Sequence, residues 1–287
     1  MSLEPFLAEM RPKIHRYCAR MTGSVIDGED VTQDTLLKAV GALKRLPVVD
    51  HPDRWLFRIA HNCALDFLRR RTRTEAILSG EDPETIADFG EMEDNVDIVS
   101  TSLRTFMRLP VTQRGPVILK DVFGYSLAEI CDVMDASVPA VKSALHRGRE
   151  RLRTLALEPE DSAPPAFSER DRSLLTRYVD RFNARDFDAV REMLTDEVRL
   201  ELVARKDMNG RAQVQTYFHN YDDTKDWTLR LGFVDRHPAI LVFTAAGHAR
   251  PAYFILVQWN DRGIALIRDF RYASYAIDGA DVALSGQ

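Results

Sequence analysis

Between Glu75 and Asp97 the chain carries nine acidic residues and no basic one. A run of one sign that long cannot join an apolar core, because each carboxylate would lose its hydration with no cation to replace it. It reads as an acidic strap that separates the segments on either side. Residues 1–74 hold thirteen Lys and Arg against nine Asp and Glu, and residues 98–155 hold nine against five. The net charge of -5 therefore conceals two mildly basic modules, followed by a mildly acidic third part with seventeen bases against twenty-one acids. A length of 287 residues suffices for two or three compact units, and 45% hydrophobic residues exclude disorder throughout.

The first basic module reads as three or four helices. One spans residues 3–22 and turns at Thr22-Gly23-Ser24. The next starts among the acids Asp27, Glu29 and Asp30, which suit a helix N-terminus, and runs through Val31, Leu36, Leu37 and Val40 to about Leu46. Pro47 to Pro52 is a loop. The helix that follows carries two chemistries: Trp55, Ile59, Cys63 and Phe67 recur every four residues as an apolar seam, while Arg58, Asn62, Arg69 and Arg73 share another face that Arg70 and Arg71 widen. Cations and an amide on one face can hold phosphates, and an aromatic can stack on bases. The same face also reads as a solvated surface favoured by the helix dipole. Cys18, Cys63 and Cys131 are far apart and set among apolar residues, so they form neither a disulfide framework nor a metal knuckle.

The second basic module begins with a helix over Leu103–Val122 in which Gly115-Pro116 marks a kink or a break. Ser126 and Glu129 make a capping box, with Tyr125 and Ile130 placed as its hydrophobic staple. A turn at Asp135-Ala136 leads to a helix that Ser137 caps, with Val138, Val141, Leu145 and Leu152 inward and Lys142, His146, Arg149 and Arg153 outward. Helix, tight turn and longer helix is the layout of a helix-turn-helix. Residues 156–168 are rich in Pro and acid and read as a linker. Beyond them come a helix at 170–185, a short helix near 189–194 and strands at 198–203, 227–234, 239–245, 253–259 and 264–272, with turn signals at Asn209-Gly210 and Asn260-Asp261. Helices followed by a curved antiparallel sheet predict an α+β domain.

Residues 20–73, with RMTGSVIDGEDVTQDTLLKAV and WLFRIAHNCALDFLRRR, resemble region two of an extracytoplasmic-function sigma factor, a group IV member of the sigma-70 superfamily. Residues 109–152, from LPVTQRGPVILKDVFGYS to VPAVKSALHRGRERL, resemble its region four. The resemblance implies a transcription initiation factor that binds core RNA polymerase at the beta-prime clamp and the beta flap. It places Asp27, Glu29, Asp30, Gln33, Asp34 and Leu37 at the clamp, where acids around an apolar spot suit a basic helical partner. It implies that the melted minus-10 strand meets the loop Leu46–Asp53 and the side chains Arg58, His61, Asn62, Arg69, Arg70, Arg71 and Arg73. Trp55 is assigned by its seam to core packing ahead of base stacking. In the minus-35 major groove, Lys142, Ser143, His146 and Arg147 would face base edges, with Arg149, Arg151 and Arg153 on phosphates.

Residues 170–272 are similar to SnoaL-like domains of the nuclear transport factor two-like superfamily, and the resemblance implies a cone-shaped domain that regulates the other modules in cis. Its mouth can take a small apolar ligand, with Trp227, Tyr253, Phe254, His219, His248, Asp207 and Asp269 as candidate lining. The expected organisation is two all-α modules followed by an α+β cone: residues 1–75, an acidic linker 76–100, the helix-turn-helix module 101–155, a linker 156–168, and residues 169–287. No cofactor, metal or covalent chemistry is expected. The N-terminus lacks the apolar core of a signal peptide and no apolar run reaches a membrane span, so the chain is expected in the cytoplasm, away from any membrane. Two rivals of other classes are a ligand-sensing helix-turn-helix regulator that works without polymerase, and a cyclase-like enzyme fused to a DNA-binding module.

Overall fold

The computed structural model describes residues 3–43, 49–79, 101–156, 165–219, 221, 226–244 and 249–285. Most of the acidic strap, part of the 156–168 linker, residues 44–48, which take in the end of the second predicted helix and the start of the predicted loop, and His248 lie outside this set. The chain divides into two compact units, Met1–Asp161 and Ser162–Gln287.

The first unit is helical: α1 (Leu3–Thr22), α2 (Val25–Leu43), α3 (Pro52–Ser79), α4 (Leu103–Met107), α5 (Val111–Val117), α6 (Leu127–Met134) and α7 (Val138–Ala156). Helix α2 starts two residues before Asp27 because the Ser24 hydroxyl caps it, accepting from the Ile26 and Asp27 amides at 3.2 and 3.4 Å. The buried stripe of α3 is Leu56, Phe57, Ala60, Cys63, Ala64 and Leu68, whereas Trp55, Ile59 and Phe67 lie at its half-buried edge. The predicted seam was thus one position out of phase, because several neighbouring apolar stripes fit the same run.

The predicted Leu103–Val122 helix is broken earlier than expected. The chain turns at Arg108–Pro110, Pro116 sits inside α5, and residues Ile118–Val122 continue as a π-helical turn. The capping box forms as read: the Ser126 hydroxyl accepts from the Glu129 amide and the Glu129 carboxylate accepts from the Ser126 amide at 2.8 Å. Asp135 then closes α6 in the left-handed conformation, at φ 53°. Val141, Leu145 and Leu152 are buried, but Val138 is 44% exposed, on the outside of the first turn of α7.

The second unit comprises α8 (Glu169–Asn183), α9 (Phe187–Glu192), β1 (Leu194–Leu202), β2 (Lys206–Asn209), α10 (Arg211–His219), β3 (Trp227–Val234), β4 (His237–Thr244), β5 (Tyr253–Asn260), β6 (Gly263–Asp269) and β7 (Val282–Leu284). Its strands form one sheet in the order β2-β1-β6-β5-β4-β3-β7. Neighbours run antiparallel except β1 and β6, which are parallel, so the sheet is mixed where a purely antiparallel one was expected. Residues Phe270–Tyr272, expected to prolong the last strand, form a 3-10 turn. One core joins Leu175, Tyr178 and Phe182 of α8 to strand residues such as Leu200, Ile240, Val242 and Ile255.

Candidate nucleic-acid interface

Helices α2 and α3 hold the first set of candidate contacts. On α3, Arg58, Asn62, Arg69, Arg70, Arg71 and Arg73 are all exposed. Where α3 packs along α2, Arg71 lies 3.4 Å from Asp27 and Arg70 3.9 Å from Asp34. Such exposed pairs contribute little stability. Their consequence is to orient the cationic end of α3 along α2 while leaving its guanidinium groups in water. On the outer face of α2, Leu37 is 64% exposed, flanked by exposed Asp30, Gln33 and Asp34. Glu29 does not belong to this surface: it is fully buried and pairs with Arg11. Its place at a partner contact is therefore corrected to a structural one, since a buried carboxylate needs its cation.

His61 is corrected too. The residue is 6% exposed, with Nδ1 2.7 Å from the Tyr17 hydroxyl, and burial lowers its pKa to about 4. A neutral, buried imidazole holds no phosphate. Helical spacing put His61 next to Arg58 and Asn62 in sequence, but it falls on the inner side of α3 beside Ala60 and Ala64. Arg58 is exposed yet engaged: its Nε donates to the Asp132 carbonyl at 2.8 Å, and its Nη2 donates to the same oxygen.

On α7, Lys142, Ser143 and Arg147 are exposed; Ser143 and Arg147 lie one turn apart on one face, and Lys142 extends that surface beside Ser143. His146 is half-buried, with Nε2 4.0 Å from Glu150. Arg149, expected on a phosphate, instead grips Asp121 of the π turn through two bonds of 3.0 and 2.5 Å. That fork fixes α7 against the preceding segment. Exposed Arg151 and half-buried Arg153 continue the cationic side toward the C-terminal end.

In the second unit the Trp227 and Tyr253 rings lie 6.5 Å apart, and Asp269 is bonded to Tyr221, whose ring packs edge-on against Trp227 at 4.6 Å. Asp269 is wholly buried and accepts from the Tyr217 hydroxyl, from the Tyr221 hydroxyl at 3.3 Å and from the Arg271 amide at 2.8 Å. Burial raises its pKa above the usual carboxylate value, against those hydrogen bonds. The Tyr178 hydroxyl is buried with no hydrogen-bond partner. Burial raises its pKa and those of Tyr217, Tyr221 and Tyr253, and Asp269 is the next contributor in each case. Sequence reading gave inward-facing Tyr178 no place in the lining and missed Tyr217 and Tyr221. Only the i, i+4 spacing of the last two hinted at them, and α10 itself went unread. Phe254 lies on the opposite face of its strand, stacked on Phe270 at 4.1 Å, and Asp207 is exposed beside Arg199, so neither lines this cluster. His248 lies outside the described residues, as does the His219 side chain. Among the described residues no group of His, Cys, Asp and Glu is placed to hold a metal, and no helix is long and apolar enough to cross a membrane.

Three known families match in chain order: Sigma-70 region 2 over residues 6–74, Sigma-70 region 4 over 103–152, and the SnoaL-like domain over 175–281. The ECF RNA polymerase sigma factor SigG of Mycobacterium tuberculosis is 32% identical over 222 residues, 67% of this chain and 59% of that protein. The chain thus spans less than two thirds of the length of that relative. SigW of Bacillus subtilis, also an ECF RNA polymerase sigma factor, is 30% identical over 154 residues, half of this chain and 82% of that protein. The crystal structure of the M. tuberculosis extracytoplasmic function sigma factor SigJ overlays 95% of this chain and 99% of that one, at 17% identity and a TM-score of 0.36. Two sigma regions in order, and the match to SigW over 82% of that protein at 30% identity, lead to one conclusion: the chain belongs to the extracytoplasmic-function family of RNA polymerase sigma factors and carries a C-terminal SnoaL-like domain.

Proposed function

We propose that this chain is a transcription initiation factor that binds core RNA polymerase and directs it to promoters with minus-35 and minus-10 elements. The observation that carries this reading is the pairing, in one unit, of two helices with exposed cationic faces: Asn62 and Arg69–Arg73 on α3, and Lys142, Ser143 and Arg147 on α7. The first face suits a melted strand, held through its backbone; the second suits base edges in a major groove. Asp30, Gln33, Asp34 and Leu37 form the polymerase-facing patch. Run-off transcription with core enzyme is the test. Lys142→Ala and Arg147→Ala each change minus-35 preference by about 1 to 3 kcal/mol per lost base contact, whereas Arg69→Ala with Arg70→Ala weakens binding across all sequences. Unchanged affinity and preference in all of these variants would overturn the reading.

A second reading concerns the C-terminal unit alone: it receives a small, mostly apolar molecule bearing one polar oxygen. The support is Tyr178, whose unpartnered hydroxyl is buried in an otherwise apolar and aromatic core near Asp269. A buried hydroxyl without a partner is uncommon and marks a place where a guest oxygen or a water completes the bonding. Phenol, titrated against the full chain and followed by tyrosine and tryptophan fluorescence, is the probe. Saturable binding that Tyr178→Phe weakens supports this reading, and no binding, or binding indifferent to Tyr178, refutes it.

A further inference from the structure

The second unit carries a cleft that neither the cationic helices nor the Tyr178 cluster accounts for. Helix α8 buries Leu175, Tyr178, Val179 and Phe182, and that stripe leaves Arg170, Ser173, Leu174 and Arg177, at i, i+3, i+4 and i+7, together on an adjoining face. Between that face and the β5–β6 hairpin lies a cleft of about 340 Å³, with Trp259, Arg262 and Gly263 on the hairpin side. The hairpin is fixed from within. The Asn260 side-chain oxygen accepts from the Arg262 and Gly263 amides at 2.9 and 3.1 Å, and Gly263 takes φ +146°, where a Cβ would stand 2.4 Å from the Met193 carbonyl oxygen. The β5–β6 register shifts between Gln258 and Trp259, an irregularity of the kind that re-aims a side chain.

What the cleft can hold follows from its charges and its donors. Arg170 pairs with Asp261 at 3.4 Å, which leaves the side chains of Arg177 and Arg262 with no acid in reach among the described residues. Both are exposed, so each can turn its guanidinium fork toward a guest without first giving up a buried partner. The Trp259 indole N–H is buried and donates to nothing. A buried donor without an acceptor is uncommon, and a guest oxygen or a water completes it. On the other flank of the same hairpin, a larger cleft of about 550 Å³ is lined by Glu192, Asp196 and Glu197, and its Arg211 already stands 3.8 Å from Asp196. The hairpin thus divides an acidic cleft, which repels anions, from a basic one that lacks two negative charges.

We propose that the cleft between α8 and the β5–β6 hairpin is a binding site for a small dianion with a flat ring, a phosphate monoester of an aromatic or heteroaromatic alcohol, held by Arg177 and Arg262 with its ring against Trp259. A phosphate monoester carries about 1.5 to 2 negative charges at neutral pH, which matches two unpaired guanidiniums, and their forks take its oxygens in pairs. The indole offers a face to the ring, and a volume of about 340 Å³ falls within the range of small-molecule sites. Phenyl phosphate, titrated into the full-length chain by calorimetry, is the probe; inorganic phosphate and phenol are its two halves. Saturable binding at one site is expected, with a Kd of about 1 mM or tighter. Arg177→Gln and Arg262→Gln should each weaken it by roughly fivefold or more, because each removes a charge-assisted hydrogen bond. Arg236→Gln, which removes an exposed cation from the β3–β4 turn, and Tyr178→Phe, which alters the aromatic core, should leave it unchanged. The three arginines are exposed, so their variants should unfold at the parent's temperature and report binding alone. No saturable binding up to about 10 mM overturns the site. Equal weakening by Arg236→Gln overturns it as well, since diffuse charge would then suffice. Inorganic phosphate binding as tightly as phenyl phosphate overturns the role of the ring, and displacement of phenyl phosphate by phenol overturns that of the dianion.

Discussion

His61 touches the Tyr17 hydroxyl and otherwise lies among apolar groups, so the protein holds its imidazole neutral, with a pKa of about 4 against an ordinary 6.5. His15, buried against the Val25 carbonyl, is shifted the same way. Between these limits the unfolded chain binds more protons than the folded one, so stability rises with pH. The contribution is fully present above pH 6.5, fades as pH falls, and is gone below about 4. For His61 the window is worth about 3 kcal/mol. Thermal unfolding of His61→Asn, which keeps a polar group for Tyr17 but cannot titrate, should show a flatter loss between pH 6.5 and 4 than the parent; an identical slope would place the acid sensitivity elsewhere. Asp269 behaves oppositely. Its raised pKa means the folded state keeps its proton longer, so that contribution is greatest below 3.8 and declines as pH rises. Neither residue was legible as an interior titrating group. Sequence spacing gave His61 neighbours on the exposed cationic face, and it gave Asp269 a place in a lining, but burial depends on which distant segment covers a side chain. For His61 that segment is Gly115, far along the chain.

Short-range signals were the ones the sequence carried faithfully at the level of elements. The Ser126 and Glu129 box, the Asp135 turn and the Ser137 start of α7 all rest on bonds within four residues, and all appear in the structure. Ser126→Ala removes one of those caps and should lower the stability of the first unit by about 1 kcal/mol. Hydrogen exchange resolves this: faster exchange is expected at Leu127–Ile130 and none at α8, and equal exchange in both would refute a local capping role. What failed were elements whose reason is tertiary. β7 is three residues long and is defined by pairing with β3, and the parallel β1–β6 pair joins strands separated by most of the domain. α10 has little amphipathic contrast, yet it delivers Tyr217 to Asp269. The missed helix and the missed Tyr217 are one error, because a candidate site is only as readable as the element that carries it.

At the scale of the molecule, each unit has its own core, Met10–Leu152 in one and Phe167–Ile267 in the other, so each supplies the burial needed to fold. The order of the three family matches was legible because region motifs are local strings; the fusion of two regions into one core was not, because no local pattern encodes which faces meet. Regulation by the SnoaL-like unit is a proposal that follows from connectivity alone. Residues 157–164 span at most about 28 Å even when fully extended. Tethering at such a distance gives an effective concentration in the millimolar range, so even a weak contact or steric conflict between the units is populated without any further binding energy. A chain ending at Asp161 keeps the first unit whole, including buried Leu155. With core enzyme on one promoter, its run-off output should differ by about twofold or more from that of the full chain at equal, sub-saturating concentration. Adding residues 162–287 as a separate polypeptide at micromolar concentration should not restore the difference, because the effect depends on the tether. Equal output with and without the second unit would remove cis regulation, and restoration in trans would show that affinity, rather than connectivity, carries it.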